Sequence, residues 1–268
     1  MSLRIQSDAE RVAAQRHLML ADGIVTRATE RLSSGYRINR ASDDASGLSI
    51  SEGLRGQIRG LAQNQRNIQD GISLTQTAEA ALSGVHSMLQ RVRELAVQYK
   101  NGTYSAANAQ AIQSEVNQLA SEIERLGQSA AFNGIQLMSN AGTINLRVGA
   151  NDGASETISV ATISLAQQIG TAYASLGAAT DLAEIDAALD AVSVQRSAMG
   201  AAQNRLEGAL DNVRNAQVNM VASESRIRDV DMADEALNMT RGQILSQSGT
   251  AMLAQANQAG QGVLTLLR

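Results

Sequence analysis

The chain has 268 residues, a net charge of −4, no cysteine, no tryptophan, and only one phenylalanine, Phe132. It also has no proline, where an average chain of this length holds about a dozen; one inside a helix costs about 3 kcal/mol. These numbers exclude a disulfide scaffold and a thiolate metal site, give no basic footprint for nucleic acid, and favour long unbroken helices.

The opening residues, Met1-Ser2-Leu3-Arg4-Ile5-Gln6-Ser7-Asp8, have no apolar core of a signal peptide. Export, if it occurs, is therefore expected without a cleaved secretory signal. No run of 18 apolar residues predicts a membrane span. Residues 3–32 predict a first helix, with Leu3, Val12, Leu18, Ile24, Val25, Ala28 and Leu32 as its apolar set. Ser33-Ser34-Gly35 breaks it, and residues 41–47 offer N-cap candidates for the next helix.

From Leu54 to Tyr99 apolar residues recur in steps of three and four, the spacing of a coiled-coil seam. Leu54, Ile58, Leu61, Leu82, Leu89 and Val92 are its expected core. Gly53, Gly56, Gly60 and Gly71 interrupt it, either as tolerated neutral positions or as places of close helix approach or of a deliberately soft helix. Asn101-Gly102 predicts a turn. A third helix over 106–127 carries Ile112, Val116, Leu119, Ile123 and Leu126 on one face and stops at Gly127.

The period then changes. Ile144–Val148 and Thr157–Val160 alternate apolar and polar residues around a Gly-containing turn, which predicts a β-hairpin. Residues 161–180 read as irregular. A second seam helix starts near Thr180-Asp181, with Leu206, Leu210 and Val213 in its core. Each seam spans roughly 65–70 Å. A last helix covers about 232–267, with Leu253, Ala256, Val263, Leu264 and Leu267 on its stripe. The charged link 225–231 marks a bend. The expected fold is mainly α: an elongated antiparallel bundle of long helices, or coiled-coil rod, with a small β-hairpin in the middle. Two long seams can bury each other, but the stripes at the chain ends need partners from elsewhere.

Catalysis finds no support. His17 and His86 lie far apart and neither sits in an HExxH pattern. Asp43-Asp44 reads as a cap rather than a metal site. No cofactor is expected.

Both ends of the chain resemble bacterial flagellin, over roughly residues 30–138 and 180–268. The N-terminal resemblance rests on Leu32-Ser33-Ser34-Gly35, residues 37–48 (RINRASDDASGL), residues 55–61 (RGQIRGL), Gln69-Asp70-Gly71-Ile72-Ser73 and Gln76-Thr77-Ala78-Glu79. The C-terminal resemblance rests on Asn204-Arg205-Leu206-Glu207, residues 222–233 (ASESRIRDVDMA), residues 251–258 (AMLAQANQ) and residues 263–268 (VLTLLR). Residues 6–11 depart from the Asn-rich opening common in flagellins, and the middle is short.

The resemblance implies a structural subunit that polymerises into the flagellar filament for swimming motility. It implies residues 1–45 and 230–268 as an inner tube domain and 46–229 as an outer rod domain. It also implies terminal segments that fold on assembly, export by a type III route, and an extracellular filament, bare, sheathed or periplasmic. Implied partners are other copies of the chain, an export chaperone, a filament cap protein and the animal Toll-like receptor for flagellin. Arg91, Leu95 and Glu115 match the surface that the receptor recognises, which in the filament faces a neighbouring subunit. The alternatives are a hook–filament junction protein and a secreted helical partner-binding protein.

Overall fold

The computed structural model describes residues 8–149, 156–170, 174–176 and 181–266. Long helices dominate it: α1 (Asp8–Ser34), α2 (Ala45–Tyr99), α3 (Ala106–Ser129), α5 (Asp181–Arg228) and α6 (Met232–Leu266). At about 1.5 Å per residue, the 55 residues of α2 extend for about 80 Å. A five-residue helix, α4 (Leu165–Ile169), lies where irregular chain was expected. Ser164 caps it, its hydroxyl accepting from the Gln167 amide.

Packing divides the chain into two units. Unit 1 comprises Met1–Gly56 and Asn219–Arg268, and unit 2 comprises Gln57–Val218. The expected division at 229/230 falls in the break between α5 and α6, and that at 45/46 falls one residue inside α2.

Unit 2 is organised by a heptad seam. On α2, Leu61, Ile68, Thr75, Leu82, Leu89 and Ala96 recur every seven residues, and Asn64, Gly71, Ala78, Val85 and Val92 form the companion row. All eleven are buried. On α5, Ile185, Val192, Met199, Leu206 and Val213 repeat the same step and are also buried. The helices run antiparallel, as their cross-links show: Arg93 to Asp186, Arg196 to Glu79, and Gln65 to Gln217. Leu54 and Ile58 are only half-buried, so the expected seam core is corrected at its start. A seven-residue step back from Asn64 falls on Gln57, which leaves Ile58 off the stripe.

Two seam positions are polar without full compensation. The Asn64 side-chain nitrogen is buried and has no hydrogen-bond partner, and the same holds for Gln195 on α5. Thr75, by contrast, donates to the Gly71 carbonyl at 2.8 Å. Such polar inclusions cost stability but disfavour other registers.

The expected hairpin is present, with β3 (Gly142–Arg147) antiparallel to β4 (Thr157–Thr162). Ile144 faces Val160 and Leu146 faces Ile158, so alternation places four apolar side chains on one face. That face packs on α2 at Gly71, where an added methyl would run into Leu146. Gly71 is therefore a place of close approach, whereas Gly53 and Gly56 have open space where a Cβ would lie. Gly127 does not stop α3. It sits two residues inside the helix end, and a Cβ there would lie 3.1 Å from Leu165.

A second, shorter hairpin pairs β1 (Ala131–Phe132) with β2 (Ile135–Gln136). Its turn is Asn133-Gly134, with φ of 49° and 78°. Two consecutive positive φ values identify the mirror-image turn that suits the twist of a hairpin.

Candidate assembly surface

In unit 1, α1 packs along α6. The contact is close because small residues line it. Ala21 and Ala28 are buried. A Cβ on Gly242 would meet Val25 at 2.8 Å, and one on Gly249 would meet Leu18 at 3.4 Å. Ser246 donates to Asp22 at 2.9 Å, and Arg31 lies 3.6 Å from the nearly buried Glu235.

The junction below this pair joins both chain breaks. Tyr36 bridges Asp229, the Arg37 amide donates to the Arg228 carbonyl at 2.7 Å, and the Val230 amide donates to the Gly35 carbonyl at 3.0 Å. The Arg228 guanidinium stacks 4.8 Å from the Tyr36 ring centre and donates to Glu52 at 2.8 Å. That hydrogen bond, aided by Arg55, holds the Glu52 carboxyl below its ordinary range. Asp231 caps α6 through the Ala233 amide at 2.9 Å. The charge-dense link is thus a junction of backbone pairing and caps, and the helical break spans only residues 229–231.

With their facing sides occupied, α1 and α6 still present apolar side chains outward. Val12, Met19 and Leu20 on α1 are 62, 64 and 57 % exposed, and Leu237, Ile244 and Met252 on α6 are 66, 60 and 64 % exposed. Val12 to Met19, Leu237 to Ile244, and Leu245 to Met252 are each seven residues apart, the heptad step. Met19, Leu20, Leu237 and Ile244 are not among the residues singled out from the sequence, although that step could have found Met19, Leu237 and Ile244. Of the expected inner stripe, Leu253 and Ala256 are half-buried. The side chains of Val263, Leu264 and Leu267 lie outside the described residues.

In unit 2, Arg91 and Glu115 come together within the chain. Arg91 Nη2 and Nε lie 2.9 and 3.1 Å from Glu115 Oε1, and Arg91 Nη1 lies 3.1 Å from Glu94. Both partners are about half exposed. The hydrogen bonds that it donates to Glu115 and then Glu94 hold the guanidinium above its usual range. The charge of Arg91 is therefore balanced within its own chain. Leu95 is corrected as a surface residue: at 2 % exposure it belongs to the core. It precedes Ala96 of the buried heptad row, which carries it inward. Beside this surface, Arg93 holds Asp186 at 2.6 Å and lowers its carboxyl from the ordinary range.

The two histidines show no pairing with each other, and His86 lies 3.1 Å from Gln90 one turn along α2. Among the described residues, no three His, Asp or Glu side chains gather as a metal site, and no helix is long and apolar enough to cross a membrane.

Long helices at both ends of the chain, each with exposed apolar side chains, define a mainly helical protein. The bacterial flagellin N-terminal helical region matches residues 5–143, and the bacterial flagellin C-terminal helical region matches residues 182–267. A flagellin of Halalkalibacterium halodurans is 51 % identical over 90 % of this chain and 91 % of its own length. A flagellin of Bacillus subtilis is 45 % identical over 89 % of this chain and 91 % of its own. The flagellar filament 33 kDa core protein of Treponema phagedenis is 44 % identical over 95 % and 96 % respectively. The chain belongs to the bacterial flagellin family. It is a structural subunit of the flagellar filament and not an enzyme. Matches to both helical regions over most of the chain favour this over a junction protein or a soluble partner-binding protein.

Proposed function

We propose that unit 1 supplies the principal polymerisation surface, forming the inner tube of the filament, while unit 2 forms the surrounding rod layer. The observation that carries this reading is the outward apolar stripe on both α1 and α6, left uncovered after these helices have packed on each other. Fully burying one such side chain gains roughly 1.5–3 kcal/mol. Neighbouring copies carry the same stripes in the same heptad step and so complement them. The Arg91–Glu115 surface is a second contact between copies, and its resemblance to the receptor-recognised region makes the animal Toll-like receptor a partner of the free subunit. By the same resemblance, an export chaperone and a filament cap protein bind the chain on its way to an extracellular filament.

The test is Leu237→Glu with Ile244→Glu in the full chain. Both positions are exposed in the subunit, so helicity by circular dichroism should be unchanged. Growth on preformed filament seeds, followed by light scattering and electron microscopy, should stop. Filaments of normal length and rate from the double variant would overturn the assignment.

A further inference from the structure

Nine methionines and no cysteine make thioethers the most readily oxidised sulfur groups in this chain. Their exposure is uneven, with Met88, Met220 and Met239 half-buried. In unit 2, Met138 and Met199 are 1 % and 4 % exposed. In unit 1, Met19, Met232 and Met252 are 64, 53 and 64 % exposed, and these are the exposed methionines among the described residues. Two of them continue the outward stripes, Met19 seven residues after Val12 and Met252 seven after Leu245. Met232 opens α6.

We infer that Met19, Met232 and Met252 form an oxidation-sensitive set through which peroxides control addition of the free subunit to the filament. This rests on the reading that the outward stripes become buried on assembly.

The chemistry needs only hydrogen peroxide. A lone pair of the thioether sulfur attacks one peroxide oxygen, an S–O bond forms, and the O–O bond breaks. The methionine loses two electrons and becomes the sulfoxide, and the peroxide is reduced to water. A flexible apolar side chain is thereby replaced by one with a strong hydrogen-bond acceptor. Exposed on the free subunit, that acceptor is hydrated. Buried in an apolar contact between copies, it loses its water and finds no donor among Val12, Leu20, Leu237 and Leu245 side chains. The oxidised subunit keeps its fold, because its internal contacts use other residues, and loses its fit to a neighbour. Met138 and Met199 are shielded by the core in either state.

The experiment uses the full-length subunit, untreated or treated with hydrogen peroxide, with sulfoxides located by mass spectrometry of its peptides. Oxidised subunit should keep its circular dichroism spectrum and elongate seeds at least about tenfold more slowly. Reduction with methionine sulfoxide reductases should restore the untreated rate. The variant Met19→Leu/Met232→Leu/Met252→Leu, which preserves apolar volume, should elongate at a rate insensitive to peroxide. In assembled filaments Met19 and Met252 should oxidise much more slowly than in the free subunit.

Full oxidation at the three positions with an unchanged elongation rate would overturn the inference, as would a triple variant still inhibited by peroxide. If the variant itself fails to elongate, the reductase arm decides: oxidised wild type that the enzymes do not restore refutes the mechanism. Equal oxidation of Met19 and Met252 in filaments and free subunit would instead refute burial of the stripes on assembly.

Discussion

Gly71→Ala should lower the stability of unit 2 even though alanine is the better helix former. In an open helix interior this substitution gains about 1 kcal/mol. At Gly71 the new methyl would run into Leu146 Cδ1, with Leu146 Cγ and Cδ2 at 3.4 and 3.5 Å. Relief requires Leu146 to rotate or β3 to lift from α2. Overpacking of this kind costs about 1–3 kcal/mol, so the net effect is a loss of about 0–2 kcal/mol once the gain in helix propensity is subtracted. Gly208 on α5 supplies the control. It is exposed, and nothing lies within 4 Å of an added Cβ. Gly208→Ala should therefore gain about 1 kcal/mol. The same chemical change at two helix interiors of one unit should separate by about 1–3 kcal/mol, with roughly 2–4 °C in Tm per kcal/mol for a unit of this size. Thermal melts followed by circular dichroism measure it. In a Leu146→Ala background Gly71→Ala should become stabilising, and the double-mutant cycle gives the coupling. A Gly71→Ala melt raised as far as that of Gly208→Ala would refute the packing of the hairpin on α2.

Leu206 is fully buried on the α5 seam, so Leu206→Ala should cost about 2–5 kcal/mol in chemical denaturation, and an unchanged midpoint would place it outside the core. Leu95→Ala should cost a similar amount, about 2–5 kcal/mol, whereas Arg91→Ala removes a solvent-screened pair and should leave the melt essentially unchanged; a reversed order would overturn their placement. The Asp44 carboxyl accepts from the Gly47 amide at 2.8 Å and from Ser46, which lowers its pKa in the folded chain. A depressed folded pKa means stabilisation that is present above the unfolded value of about 4 and lost as pH falls through the folded value. Asp44→Ala should thus be less stable than wild type at neutral pH, and the gap measured by denaturant titration should close on acidification; a gap independent of pH would remove the charge from the cap.

The mainly helical architecture is legible in the sequence because apolar period, absent proline and cap residues all agree. Leu61 through Val92 on α2 and Leu206 through Val213 on α5 lie in the core as their spacing requires. The hairpin at β3–β4 is legible from alternation alone, since Ile144 and Leu146 are half-buried and Ile158 and Val160 buried between exposed neighbours. The hairpin at Asn133-Gly134 escapes a reading by period, although that dipeptide is a strong turn signal. Its strands have two residues each, too short for any alternation to show. The α4 helix escapes for a similar reason: five residues do not complete a second turn, and its cap and its contact with Gly127 form only through the fold.

The candidate surface is harder to read because a helix has two kinds of apolar position. A residue that fills the seam and one that awaits another copy share the same composition and the same seven-residue step. Leu95 and Ile244 illustrate the two kinds. Leu95 sits among charges, between Glu94 and the apolar Ala96, and resemblance placed it on a surface, yet it is buried against its own chain. Ile244 stands beside Leu245 in an otherwise polar stretch and is not singled out from the sequence, and it is 60 % exposed. What separates them is the phase of each stripe against the partner helix. On α6 the close approach to α1 is made at Gly242 and Gly249, seven residues apart, and the turn of the helix then carries Ile244 away from that line. Small residues on α6, set against Leu18 and Val25 of α1, thus mark the inner seam of unit 1, and other large apolar side chains lie exposed on the outer faces. In unit 2 the rule is inverted, since Leu, Ile and Val fill the α2–α5 seam while its outer face is largely polar. That inversion fits the proposed assembly role. On the proposed assembly role, the α1–α6 pair sets its glycines against Leu18 and Val25 and adds short hydrogen bonds such as Ser246 to Asp22, which leaves other large apolar side chains for neighbours.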